Sequence, residues 1–172
     1  MRTIVAFFSL ITIAVAPTFA QSMKSYADRK AGFSLKYPGN WKKTANQGGV
    51  NLLLTSKDET ANFQLITAEV EAGTSTKAFL AEVEKAAGTG QVNQAPADMI
   101  PFSADDVAKY KVDEGALGIY ELNQEGTTIY QQIRIMRKGT TIFSIVMTFS
   151  LQNGEAQKDL CLKIADSFKA TK

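Results

Sequence analysis

The chain has no histidine and a single cysteine, and only four prolines and one tryptophan stand among its 172 residues. Each shortage excludes something. Without His there is no Ser–His–Asp or Cys–His nucleophilic site, and the commonest general base at neutral pH and the commonest transition-metal ligand are both missing. One Cys rules out an intramolecular disulfide and any zinc or iron–sulfur cage built from several thiolates. Neither sign of charge dominates. With 19 Lys and Arg against 17 Asp and Glu the formal net charge is +2, so nothing in the balance points to a nucleic-acid partner. No G-x-x-x-x-G-K-[ST] loop occurs and no G-x-G-x-x-G follows a strand, which removes the common phosphate-binding loops. No S-x-x-K occurs either, so the Ser–Lys nucleophile motif is missing too.

Long hydrophobic runs are also scarce, with one exception at the N-terminus. Met1–Arg2 form a basic start, and Ile4 to Ala16 are apolar or small apart from Ser9 and Thr12. Pro17 ends the run, and Thr18-Phe19-Ala20 place small residues at the −3 and −1 positions of a cleavage site after Ala20. This is the three-part pattern of a secretory signal peptide. The run is shorter than the roughly 20 residues of a spanning helix. The expectation is a signal peptide over 1–20, a single domain over 21–172, and a periplasmic or secreted location with no stable membrane insertion after cleavage. Removing the first 20 residues leaves 152, with 18 basic and 17 acidic side chains. A domain of that size buries roughly 68–70% of its unfolded surface and needs no disulfide.

The remaining sequence reads as α+β. Phe33, Leu35 and Tyr37 alternate on one strand face, and Pro38-Gly39-Asn40 is a turn. Trp41 to Thr44, Val50 to Thr55 and Ala61 to Val70 follow as further strands of a meander. Thr74 or Ser75 caps a helix carrying Phe79, Leu80, Val83 and Ala87 on one stripe, stopped at Gly88. Residues 89 to 102 have no period and read as a surface connection. Ser103 and Asp106 resemble a capping box for a short helix from Ala104 to Lys109. Ala116–Leu122, Thr127–Arg137 and Thr141–Leu151 are three more strands. In the last of these Phe143, Ile145, Met147 and Phe149 share one face with Thr141 and Leu151. A final helix begins near Asn153, with Leu160, Ile164 and Phe168 repeating at i+4. The architecture expected is a central antiparallel sheet of about six to seven strands flanked by helices.

Candidate chemistry is sparse. Cys161 falls on the apolar stripe of the last helix, with no His and no helix N-terminus in its immediate turn to stabilise a thiolate. Asp105-Asp106 and Asp113-Glu114 offer carboxylates for a cation, but with no fixed-loop spacing. Lys36, Lys42, Lys43 and Lys57 cluster in the first hairpins, either as a basic edge for an acidic partner or as the lysines that guard an edge strand against aggregation. Tyr130, Gln132, Arg134 and Met136 alternate on the less apolar face of their strand, where a binding patch and a lightly covered sheet face give the same pattern. Trp41 is either a ligand platform or an anchor at the rim of the core. The surface residues that emerge are Trp41, Lys42, Lys43, Tyr130, Gln132 and Arg134. No catalytic, cofactor or metal residues emerge.

Gly32-Phe33-Ser34-Leu35-Lys36-Tyr37-Pro38-Gly39-Asn40-Trp41 resembles the opening signature of the PsbP/Mog-like superfamily: an alternating strand, Tyr-Pro, a short turn and Trp. The paired long strands and a terminal helix ending in Ser167-Phe168 fit the same pattern, so the resemblance spans roughly 25–170. It implies an antiparallel sheet flanked by helices (an α/β/α sandwich) and a non-enzymatic binding or assembly role. The exported members it implies are of the DcrB type, with an envelope or membrane-associated protein as partner. The His positions that hold metal in PsbP have no counterpart here, and Ran binding does not suit an exported chain. A small-ligand or cation-binding protein of the periplasm is the alternative, with no cofactor expected in either case.

Overall fold

A computed structural model describes residues 22–87, 99–124, 127–150 and 155–171. The expected signal peptide and its cleavage site, the Gly88 stop, most of the 89–102 connection, Leu151 and the Asn153 cap lie outside them.

Among the described residues ten strands form two antiparallel sheets. The larger contains β3 (Lys42–Gln47), β4 (Val50–Thr55), β5 (Ala61–Glu69), β6 (Ile100–Pro101), β7 (Glu114–Gln124), β8 (Thr127–Lys138) and β9 (Thr141–Ser150), in the order β3-β4-β5-β9-β8-β7-β6. The smaller contains β1 (Met23–Asp28), β2 (Phe33–Pro38) and β10 (Lys169–Ala170), in the order β1-β2-β10. Three helices are described: α1 (Thr76–Ala87), α2 (Ala104–Tyr110) and α3 (Glu155–Asp166). The fold is therefore α+β, with a central seven-stranded antiparallel sheet flanked by helices.

Period-2 alternation decides the two faces of that sheet. Leu52, Leu54, Phe63, Leu65, Ile145 and Met147 line up across β4, β5 and β9 and are fully buried. On this inner face α3 packs against β2, β5 and β9. Phe168 sits at the centre, 5.3 Å from the Phe143 ring and 6.3 Å from that of Phe33. Ser167 fastens α3 to β2. Its Oγ accepts from Lys36 N at 2.7 Å and donates to a main-chain carbonyl. The terminal Ser-Phe pair thus does two physical jobs, one polar and one apolar. α1 lies at the other face of β7 and β8, where Thr76 N–H donates to Glu114 Oε1 at 2.6 Å.

Three sequence expectations change. The Phe33–Tyr37 strand is not the first strand of the meander; it belongs to the smaller sheet, paired with β1 and β10. Pro38 ends it, since its nitrogen has no hydrogen to donate, and Trp41 N–H closes the corner on the Pro38 carbonyl at 3.0 Å. Strand β1 itself, mostly exposed and without alternation, gave no signal in the sequence. Ile100-Pro101 was read as connection, but pairs with Leu117 and Ala116 of β7. The capping box at Ser103 and Asp106 is present, and Lys111 at φ 59 ends α2 in the left-handed region.

Candidate functional site

The residues singled out from the sequence fall into two separate places. Trp41, Lys42 and Lys43 lie at the start of the edge strand β3. Tyr130, Gln132 and Arg134 lie on β8, four strand positions away and so about 19 Å across the sheet. Trp41 is 5% exposed and part of the hydrophobic core. Lys42 and Lys43 are exposed, and Lys43 Nζ stands 4.7 Å over the Tyr26 ring, joining the edge of β3 to the edge of β1.

The Tyr130–Met136 stripe is on the inner face, opposite Phe149, Met147, Ile145 and Phe143 in register. It is not a lightly covered face throughout: Met136 is fully buried and Arg134 is 8% exposed. Burying a guanidinium is costly unless its donors find partners, and Nη1 and Nε both do. Arg134 Nη1 donates to Asp166 Oδ1 at 2.9 Å and to the Tyr110 hydroxyl at 2.5 Å, and Nε donates to Gln132 Oε1 at 3.1 Å. Tyr110 donates in turn to Asp166 Oδ1 at 3.0 Å, and Lys109 Nζ pairs with Asp166 Oδ2 at 3.0 Å. Burial works to raise the Asp166 pKa, but the bonds from Arg134, Lys109 and Tyr110 outweigh it and hold the carboxyl below its ordinary range. The cluster ties α2, α3 and β8 together. Asp166 and Tyr110 were not legible as its members, because they are 56 residues apart.

Beyond Arg134 the inner face opens. Ile119 of β7 is 54% exposed and lies opposite Gln132, and Glu121 lies opposite Tyr130 and accepts its hydroxyl hydrogen bond. The Tyr130 ring stacks on Phe149 with centroids 5.9 Å apart. Ile100 is 61% exposed and pairs with Leu117, two residues from Ile119 and on the same face. Ile100, Leu117, Ile119, Gln132, Tyr130 and Glu121 thus form one amphipathic rim.

The other candidates have structural partners. Asp113 receives Gly139 N–H and pairs with Lys138 and Arg137, and Glu114 pairs with Arg137 at 3.2 Å. Asp106 is taken up by the α2 cap. Cys161 is buried, and desolvation pushes its thiol up to about 12, so it is not a nucleophile at neutral pH. Among the described residues no group of three or more His, Cys, Asp or Glu is placed to hold a metal ion, and no helix is long and apolar enough to cross a membrane.

No family model and no curated protein matches the sequence. Solved structures do match in shape. The yeast (Saccharomyces cerevisiae) Ran-binding protein Mog1p superposes with a TM-score of 0.54 at 9% identity, over 88% of this chain and 97% of that one. Cyanobacterial PsbP from Synechocystis gives 0.50 at 14%, over 90% and 96%. The fold is PsbP/Mog-like. The same fold matches LpqN of Mycobacterium tuberculosis, a protein involved in cell envelope biogenesis, with a TM-score of 0.53 at 10% identity over 90% and 88%. A Bacteroides thetaiotaomicron protein gives 0.58 at 17% over 87% of this chain, which spans about half (48%) of that longer protein. At these identities the likeness establishes the PsbP/Mog-like fold alone.

Proposed function

We propose that this chain is an exported, non-enzymatic binding or assembly domain of the DcrB type, acting on an envelope or membrane-associated protein in the periplasm or outside the cell. The observation that carries the reading is the rim of β7 and β8. Two large aliphatic side chains, Ile100 and Ile119, stand more than half exposed beside the ring of Tyr130 and the polar ends of Gln132 and Glu121. An apolar centre with a polar border is the composition of a protein-binding patch. The leader-like first 20 residues support export, and the likeness to LpqN, whose role is in cell envelope biogenesis, supports an envelope setting. The absence of His and the engagement of Arg134 with Asp166 and of Glu121 with Tyr130 weigh against chemistry at this surface. They also weigh against the small-ligand reading, since Arg134 already serves Asp166, Tyr110 and Gln132.

A photo-crosslinking residue placed at Ile119 in living cells tests the reading. The expected result is a discrete adduct with one envelope protein, absent when the crosslinker stands at Glu71 and reduced about tenfold or more by Ile100→Ser, as for a contact at the centre of an interface. Adducts at Glu71 equal to those at Ile119 overturn it.

A further inference from the structure

The two ends of the seven-stranded sheet are closed differently. At one end the edge strand β3 carries the exposed Lys42 and Lys43, and Asn46 stands in the left-handed region at φ 53. Lysines and a departure from extended backbone keep an edge from pairing with a further strand. At the other end the edge strand is β6, which has two residues, one of them a proline. Among the described residues it pairs with Leu117 and Ala116 alone, and Met99 before it is outside the strand. β7 is 11 residues long. From Gly118 to Gln124 it is therefore itself the edge among the described residues. This stretch, Gly-Ile-Tyr-Glu-Leu-Asn-Gln, holds no Lys, Arg or Pro.

The direction of its main-chain groups follows from the ladder. Phe102, directly after β6, donates its N–H to the Gly115 carbonyl at 2.9 Å, so Gly115 turns its main chain away from β8. The β7–β8 register runs without a break from Glu114 opposite Arg137 to Gln124 opposite Thr127. Successive strand residues point their main-chain groups to alternate sides, so Leu117, Ile119, Glu121 and Asn123 point theirs the same way as Gly115. β6 takes up Leu117. The N–H and C=O groups of Ile119, Glu121 and Asn123 have no strand partner on that side among the described residues. Two of these residues also supply side chains of the rim. Ile119 is 54% exposed, and Glu121 enters no ion pair among the described residues.

We propose that the Gly118–Gln124 edge of β7 takes an extended segment of the partner protein as an added antiparallel strand, in line with β6. This rests on the reading of the rim as a binding surface and states how the partner is held. A row of free N–H and C=O groups at strand spacing is recognised by another main chain, and Ile100 already occupies the first position of that row. On the inner face the guest strand meets Ile119 and Glu121. The segment therefore carries an apolar residue opposite Ile119 and a Lys or Arg opposite Glu121. A second copy of this chain fits poorly. Pairing the whole stretch with itself across a two-fold axis puts Glu121 opposite Glu121, and like charges directly opposite repel.

The experiment uses the full chain in living cells, with a short diazirine amino acid placed in turn at Ile119, Tyr120 and Glu121, and each adduct mapped to a partner residue by mass spectrometry. The expected result is one partner segment whose consecutive residues are labelled in descending order from the three sites. Its apolar residue is labelled from Ile119, and its cation stands two residues earlier. The main-chain contribution is read separately, with the diazirine at Ile119. Glu121→Ala is expected to lower the adduct yield about threefold. Glu121→Pro also removes an outward N–H, but no bond to β8, and is expected to lower the yield about tenfold further. If Glu121→Pro does not fold by circular dichroism, Asn123→Pro against Asn123→Ala replaces the pair, with the same difference of about tenfold expected. Equal yields from the Pro and Ala variants, labels scattered over several partner segments, or no label from Tyr120 overturn the added strand and leave the rim as a binding surface. Adducts with a second copy of this chain overturn the choice of guest. No adduct at Ile119 overturns both the added strand and the rim.

Discussion

Under α3, at one end of the inner face, Phe33, Phe143 and Phe168 meet among fully buried aliphatic side chains. At the other end Arg134 is also buried, yet it is met by a carboxylate, a hydroxyl and an amide. Tyr110 connects the two. Its ring stands 6.5 Å from that of Phe168 and its hydroxyl touches Arg134. In the first region, stability comes from area removed from water and from close packing, which tolerate no deletion. In the second it depends on every donor and acceptor being present, which makes it sensitive to charge and pH. The amphipathic rim continues from the second region, where the sheet is less deeply covered, and a surface that must accept a partner is drawn from that kind of region.

Phe168→Ala is the change that should damage the molecule most. It removes a fully buried ring from the meeting point of β2, β9 and α3, and a loss of about 3–5 kcal/mol is expected in urea unfolding. A loss below about 1 kcal/mol would show that the dry end is not where stability resides.

Gly115→Ala comes next and probes the polar end. A Cβ there would stand 2.4 Å from Phe102 Cδ2, so the ring and the β6–β7 pairing must shift. Destabilisation of about 1–3 kcal/mol is expected from overpacking, readable as a lower thermal midpoint. Gly115→Ala with Phe102→Leu should recover part of it.

The smallest effect is expected from Asp166→Asn, at about 1–2 kcal/mol, because the lost bonds involve charge but the carboxylate is 46% exposed and its pairing is screened. Its diagnostic is pH. The folded carboxyl titrates below its unfolded range, so its contribution is complete above about pH 4 and is lost as pH falls through the folded value. The variant should therefore lose less stability than the parent between about pH 4 and pH 2. Part of the acid loss will remain, since Ser56 and Thr60 hold Asp58 at about 2 and Asp113 is also held low, by Gly139 N–H and Lys138. Parallel acid profiles for parent and variant would remove Asp166 from the account.

Much of the fold was legible because its signals are local. Alternation in Phe33–Tyr37, Val50–Thr55 and Phe143–Phe149 places each inward residue, and the box at Ser103 and Asp106 marks a helix start within four residues. β1 and β6 were not, because an exposed edge strand and a two-residue strand bury too little to leave a pattern. The candidate site was legible only in fragments. Tyr130, Gln132 and Arg134 stand out by their spacing, but Ile100 reads as part of a connection and Ile119 as an ordinary strand residue until the register puts them on one exposed face.

By itself, then, the sequence determined which residues turn inward along strands such as Phe33–Tyr37, Val50–Thr55 and Phe143–Phe149, and the lack of His- and thiol-based chemistry. Each of these is a property of neighbours along the chain. Only the tertiary structure decided that the first strand pair leaves the main sheet at Pro38, that Arg134 is a buried ion partner, and that Ile100 and Ile119 share one exposed face. Each of these joins residues distant in sequence, and pairing between distant strands is set by which faces must be buried together, a condition no single segment records.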